Sequence, residues 1–416
     1  MGAPCEYYDD LETRDREARE AALMAALPAQ VAHARAAAAA FAERLAGIDA
    51  AAVDSREALA RLPLIRKSDL IEIQKRDTPF GGLAATPLGA LSHIFASPGP
   101  IYEPAGVTPD FWRMARALFA AGMRRGDVVH NTFSYHLTPA GLMMDSGARA
   151  LGCAVVPGGV GNTEQQVMAI RDIRPNGYVG TPSFLKIILD KAAEMGADVS
   201  CLKHALVGGE PLPPSLRKEI QGHGLSVLQC YATADLGLIA YESAAMEGMI
   251  LDENVILEIV RPGTGDPVSE GEVGEVVVTP FNRDYPLIRF ATGDLSATLP
   301  GISPCGRTNV RIKGWMGRAD QTAKVRGMFV HPSQVAEVVR RHPEVQRVRL
   351  VIDSLDNKDL AVLHCEIAPG GDEPALAAAL AESFRTVCKL RGEARIVAPG
   401  TLANDGKIID DIRRFD

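Results

Sequence analysis

The feature that most constrains this chain is a change of rhythm that begins near residue 127. From there, short apolar segments alternate with stretches of helical length. The apolar segments fall at 127–130, 153–156 and 177–180, and helices are predicted near 139–151, 163–172, 183–194 and 214–222. Strand, helix, strand in repetition is best satisfied by a mainly parallel sheet, because each crossover helix needs a sheet face on which to bury its apolar side. The fold class is α/β.

The flanking segments differ. Residues 12–48 are rich in Ala, Glu and Arg, have no Gly before Gly47, and read as one or two surface helices leading into a helical turn at Ser55-Arg56-Glu57. After about 238 the texture becomes short strands between Gly, Pro, Asn and Asp. Segments 254–260 and 274–279, separated by the turn cluster at 262–267, read as antiparallel strands of a small sheet or β-barrel. The last hundred residues predict helix 332–341, strands 346–353 and 359–368, helix 373–390 and strand 393–398, a small α+β sandwich. A boundary near 318–320 then gives two domains, 1–318 and 319–416.

Composition excludes several classes of function. With 416 residues, 47% of them apolar and 23% charged, the chain has ample material for a core and is long for a single domain. Its net charge of −8 disfavours a non-specific nucleic-acid binder. No uncharged apolar run approaches the ~18 residues of a membrane span, and Met1–Glu6 shows no basic region followed by an apolar core. The seven cysteines are scattered and form no CxxC, which suits reduced thiols rather than a disulfide framework. The expectation is a cytoplasmic protein with no membrane and no nucleic-acid partner.

Taken singly, the polar motifs are plain. Thr292-Gly293-Asp294 follows the apolar 286–290 stretch and reads as a polar β-turn, although a carboxylate at a strand end can also accept two hydrogen bonds from a ribose diol. Segments 317–320 and 324–327 read as charged turns, and Gly406-Lys407 as a solvated tail. Their order and spacing give them meaning. Segments 151–157, 161–166 and 180–183 come first, then Gly208-Gly209-Glu210-Pro211, 231–235, Cys305-Gly306-Arg307-Thr308 and Pro332-Ser333-Gln334. In that order they resemble the adenylate-forming superfamily of acyl-CoA synthetases and, within it, the phenylacetate-CoA ligases. The resemblance runs from about Tyr8 to Lys407.

The resemblance implies a large N-terminal domain with parallel sheets and a small barrel, followed by a mobile C-terminal domain. It implies that Gly208, Gly209 and Glu210 border an adenine site, where missing side chains let the ring approach backbone. Tyr231 would stack on the adenine, with Ala232 and Thr233 beside it. Asp294 would hold the ribose hydroxyls, with Arg318 on the same sugar. Asp235 stands where the family has a glutamate that supports Mg²⁺. Lys407 would bridge the acid carboxylate and the α-phosphate, stabilising the transition state as a point charge, and Asp320 would lie at the hinge. Tyr135, His136 and Leu137 would line the acid pocket. The activity implied is an acid–CoA ligase. It uses ATP to make an acyl-adenylate from an aromatic or similar carboxylic acid, then transfers the acyl group to CoA. A homodimer is among the assemblies such a chain would form.

Two departures from the family pattern stand out. Where phenylacetate-CoA ligases carry Ser-Ser-Gly-Thr-Thr-Gly-Lys-Pro, this chain reads Ser97-Pro98-Gly99-Pro100-Ile101-Tyr102-Glu103-Pro104. Two prolines remove N–H donors, the threonine hydroxyls are gone, and an acid replaces the lysine, so Glu103 is expected to face and repel polyphosphate. Cys305, with Glu242 and Asn254, is too sparse for the zinc cluster of some relatives. Two rival readings follow: a nucleotide- or acyl-adenylate-binding protein with a degenerate phosphate loop, and an adenylating enzyme that uses an acceptor other than CoA.

Overall fold

The computed structural model describes residues 6–260, 265–319, 323–330, 332–355, 358–367, 373–402 and 408–413. The chain divides into two compact units, Met1–Ala319 and Asp320–Asp416.

In chain order the strands of the first unit are β1 (Ile65–Arg66), β2 (His93–Ser97), β3 (Ile101–Ala105), β4 (Val128–Asn131), β5 (Ala154–Pro157), β6 (Gly177–Gly180), β7 (His204–Val207), β8 (Ser226–Thr233), β9 (Gly237–Glu242), β10 (Met249–Leu251), β11 (Val255–Val260), β12 (Gly274–Pro280), β13 (Phe290–Ser296), β14 (Thr298–Leu299) and β15 (Arg311–Ile312). Nine of them form one sheet in the order β14-β15-β10-β9-β8-β7-β6-β4-β5. The half from β5 to β8 is parallel, linked by helices Ala140–Leu151, Thr163–Ile173, Pro182–Glu194 and Pro214–Gly222. Beyond β8 the pairing turns antiparallel, because β8 and β9 are joined by a tight turn too short for a crossover helix.

The strands β1-β13-β12-β11 make a second sheet. Among the described residues it ends at β1 and β11 and is not closed into a barrel: β1 is two residues long, runs parallel to β13, and pairs with no second strand. Local chemistry sets the helix starts. Asp15 accepts from the Ala18 N–H at the head of Arg16–Ala37, and the Thr181 hydroxyl accepts from the Phe184 N–H where Pro182 opens its helix. The first of these helices buries Leu23, Leu27, Val31 and Ala34 at helical spacing, in one core with Ile256 and Val278 of the second sheet.

The second unit has a four-stranded sheet in the order Glu393–Val397, Lys358–Ile367, Val345–Leu355, Ile409–Asp411. Helices Pro332–Arg340 and Glu373–Cys388 contribute Val335, Val338, Leu380 and Phe384 to a core with Leu350, Ile352 and Leu363. Strand Ile409–Asp411 has no counterpart in the sequence reading; three residues carry too little periodicity to announce a strand.

Candidate active site

The parallel strands share one direction, so their carboxyl ends line one edge of the large sheet, where ligands of α/β proteins bind. Tyr135–Leu137 follows β4, Gly208–Glu210 follows β7, and Tyr231–Thr233 closes β8. Gly208 is buried, and a Cβ there would stand 3.2 Å from the Cys230 carbonyl oxygen; Gly209 has φ +81°. Glu210 turns back to the sheet: its Oε1 accepts from the Ser183 N–H at 2.7 Å, at the head of the helix that follows β6. Its carboxylate therefore fixes the Gly208–Gly209 turn against that helix.

Tyr231, Asp294 and Arg318 meet in one hydrogen-bonded network. The Tyr231 hydroxyl donates to Asp294 Oδ2 at 2.8 Å and lies 3.1 Å from Thr292 Oγ1. Arg318 Nη1 donates to Asp294 Oδ1 at 2.8 Å and to the Thr292 carbonyl at 3.2 Å. Trp315 Nε1 donates to the same Oδ1 at 3.0 Å. Backbone pairing holds the parts in place: the Ala319 N–H donates to the Gly293 carbonyl and the Leu295 N–H to the Gly317 carbonyl, laying the 316–319 segment along β13. Burial, with the Asp294 carboxylate second, pushes the Tyr231 phenol well above its usual range, so it stays a neutral donor. Asp294 Oδ2 accepts only from Tyr231 among these donors, which leaves room for a diol hydroxyl.

Trp315 and Lys67 went unread in the sequence. Trp315, one of two tryptophans, sits in a glycine-flanked run that looks like a linker. Lys67, in Arg66-Lys67-Ser68-Asp69, looks like a charged surface turn. Its place comes from β1, whose Arg66 pairs with Ala291 just before Thr292. Lys67 Nζ donates to Asp235 Oδ2 at 2.5 Å. Burial alone would lower its pKa, but the carboxylates of Asp235 and Glu103 raise it, so it is a fixed cation.

The 97–104 segment is not an open loop. It belongs to a β-hairpin, with Phe95 opposite Glu103 and Ser97 opposite Ile101. Side chains opposite each other share a face, so Phe95, Ile101, Glu103 and Ala105 all point inward and all are buried. Glu103 therefore does not face solvent or phosphate directly, contrary to the sequence expectation: strand alternation puts it inside. It is fully buried. Burial first and the Asp235 carboxylate second push its pKa up to about 8 against the pull of Lys67. Asp235 Oδ1 is buried and accepts no hydrogen bond among the described residues, and the Tyr285 side chain is buried beside this group. The hairpin is pinned: Gln74 Nε2 donates to the Tyr102 carbonyl and Gln74 Oε1 accepts from its N–H, both at 2.8 Å, and the Ala96 N–H donates to the Leu137 carbonyl.

At Asp235, Oδ2 accepts from the Lys67 ammonium and Oδ1 accepts no hydrogen bond among the described residues, so a Mg²⁺ ion there would share the carboxylate with Lys67. Near Cys305, Glu242 is taken by a two-pronged pair with Arg217 at 2.8 and 2.9 Å. In the segment expected to line the acid pocket, Asn131 Nδ2 donates to the Tyr135 hydroxyl and to the Gly141 carbonyl, His136 is exposed, and Leu137 takes φ 60° with its side chain mostly outside. Thr233 Oγ1 accepts from the Leu236 N–H and, next to Ala232, shapes the β8–β9 turn. Lys407 and Asp320 lie outside the described residues.

Comparison with known proteins places this geometry. The model of the family described as AMP-binding enzyme matches residues 122–280. Phenylacetate-coenzyme A ligase of Thermus thermophilus is 33% identical over 339 residues, covering 78% of this chain and 75% of the relative. Phenylacetate-coenzyme A ligase of Pseudomonas putida is 31% identical over 377 residues, 84% and 83% of the two chains. The crystal structure of 2-hydroxyisobutyryl-CoA ligase in complex with 2-HIB-AMP and CoA shares the fold, with TM-score 0.85 at 24% identity over 97% of this chain and 92% of that one. The chain belongs to the phenylacetate-coenzyme A ligase family of AMP-binding enzymes.

Proposed function

We propose that this chain is an acid–CoA ligase that activates a carboxylic acid as its acyl-adenylate with ATP and then forms the CoA thioester. The observation that carries this reading is the Tyr231–Asp294–Arg318 network. It is a buried, charge-balanced carboxylate with one lone pair to spare, at the strand edge where a ribose diol would be received. Asp294 would accept one sugar hydroxyl at Oδ2 while Trp315 and Arg318 hold its other oxygen. The Tyr231 ring would give the adenine a flat apolar face, and the Gly208–Gly209 turn, braced by Glu210, would let the base approach backbone. Lys67, held by Asp235, would supply positive charge near Arg318. The acid would lie near Tyr135, His136 and Leu137.

Lys407, on a C-terminal unit turning about Asp320, would enter for the first half-reaction and neutralise charge on the reacting phosphate. The test is a panel of aromatic and aliphatic acids with ATP, with and without CoA, read by release of AMP and pyrophosphate. Acid-dependent AMP that requires CoA is the expected result. Adenylate that forms and turns over equally without CoA would replace it with another acceptor. No AMP with any acid, with AMP still bound tightly, would leave only a nucleotide-binding protein.

A further inference from the structure

We propose that the cavity between the first turn of helix Arg16–Ala37 and strands β10 and β11 is a binding site for one inorganic oxyanion of the phosphate class, held by Arg19 and Arg16. Its volume is about 40 Å³, room for roughly three waters or one tetrahedral oxyanion. Its walls come from that helix, from Arg56, from β10 and β11, and from segment 308–310. None of the residues of the nucleotide site lines it, so the inference stands apart from the ligase reading.

Two observations point to an anion. The first is the fork of Arg19, a residue 4% exposed. Its Nε donates to Glu253 Oε2 at 2.9 Å, and Nη2 donates to the Leu11 carbonyl at 2.8 Å and to Thr308 Oγ1 at 2.9 Å. Nη1, with two hydrogens, has no partner among the described residues, on a residue that walls the cavity. A buried guanidinium with two bare donors is costly, and a charged acceptor in the adjoining space would satisfy them. The second is charge. Glu253 cannot neutralise Arg19 alone, because its Oε2 also takes Arg14 at 3.1 Å. Arg56 is already matched by Glu20, at 2.5 and 2.9 Å. Arg16, exposed and lining the same cavity, donates to the Gly301 carbonyl at 3.4 Å and forms no ion pair among the described residues. These four arginines meet two acids, an excess of two positive charges in a chain whose net charge is −8. A dianion matches that excess, and the apolar floor at Leu251 and Val255 strengthens its hold by lowering the local dielectric.

The test is titration calorimetry of inorganic phosphate into the full chain, against chloride at matched ionic strength, for wild type, Arg19→Lys and Arg16→Gln. Wild type should bind phosphate with a dissociation constant of about 1 mM or below, and its melting temperature should rise with phosphate by mass action. Arg19→Lys keeps a cation against Glu253 but removes the Nη1 donors, and should weaken phosphate by roughly tenfold or more. Arg16→Gln removes one charge at an exposed position and should weaken it roughly three- to tenfold, an effect that shrinks with added salt. A folding failure of the first variant therefore leaves the second to decide. The proposal is overturned if folded wild type binds phosphate no better than chloride, or if acetate, a monoanion, binds as tightly. It is also overturned if the folded variants keep wild-type affinity, which would put the ion elsewhere on the chain, the nucleotide site included.

Discussion

Lys67 Nζ lies 2.5 Å from Asp235 Oδ2, although 168 residues separate them in the chain. Asp235 is wholly buried at its side chain, and the buried Glu103 lies close enough to feel its charge. Removing the cation leaves the Asp235 carboxylate unpaired in a dry site. Lys67→Met should therefore destabilise the fold by about 3–5 kcal/mol, the usual cost of stranding one half of a buried pair. Urea unfolding measures it. Lys67→Met combined with Asp235→Asn should recover part of the loss, and equal loss in both would mean that the lysine stem, not its charge, matters.

Glu103 gives the fold a pH dependence whose sign is fixed. Its folded pKa of about 8 stands above the ordinary value near 4.5. A raised folded pKa means that the contribution is fully present below the unfolded value and is lost as pH rises through the folded one. Wild type should thus lose stability between roughly pH 4.5 and 8 relative to Glu103→Gln. Melting temperatures of the two should coincide near pH 4 and diverge by several degrees above pH 8. A constant gap across that range would mean that Glu103 titrates in the folded protein as it does in the unfolded chain.

Asp294→Ala should weaken AMP and ATP alike, since both carry the ribose. Loss of charge-assisted hydrogen bonds to a carboxylate costs about 1.5–3 kcal/mol, roughly 10- to 150-fold in affinity. Calorimetry on the folded variant decides it, and unchanged AMP affinity would remove Asp294 from the sugar site.

Lys407→Ala should lower adenylate formation by ~10²–10³-fold, the range for one transition-state donor, and spare thioester formation from supplied acyl-adenylate. Pre-steady-state assays of the two half-reactions separate the effects. Equal loss in both would make the lysine structural.

The sequence by itself determined the α/β class, the helices between the parallel strands, and the order of motifs that identifies the family. Those depend on local periodicity and spacing, which a linear chain displays. Asp294 was legible because it follows an apolar strand, and Tyr231 only through the motif order that carries the family resemblance. Lys67 and Trp315 were not legible. Each joins the site only through pairing across the fold, Lys67 by β1 against β13 and Trp315 by the 314–319 segment folding back on β13. Glu103 shows the division most plainly. Its identity in place of a lysine is written in the sequence, but whether it meets phosphate or core depends on strand register. The tertiary structure decided that: the hairpin forms, alternation turns Glu103 inward beside Phe95 and Ala105, and burial first, with the Asp235 carboxylate second, sets its charge.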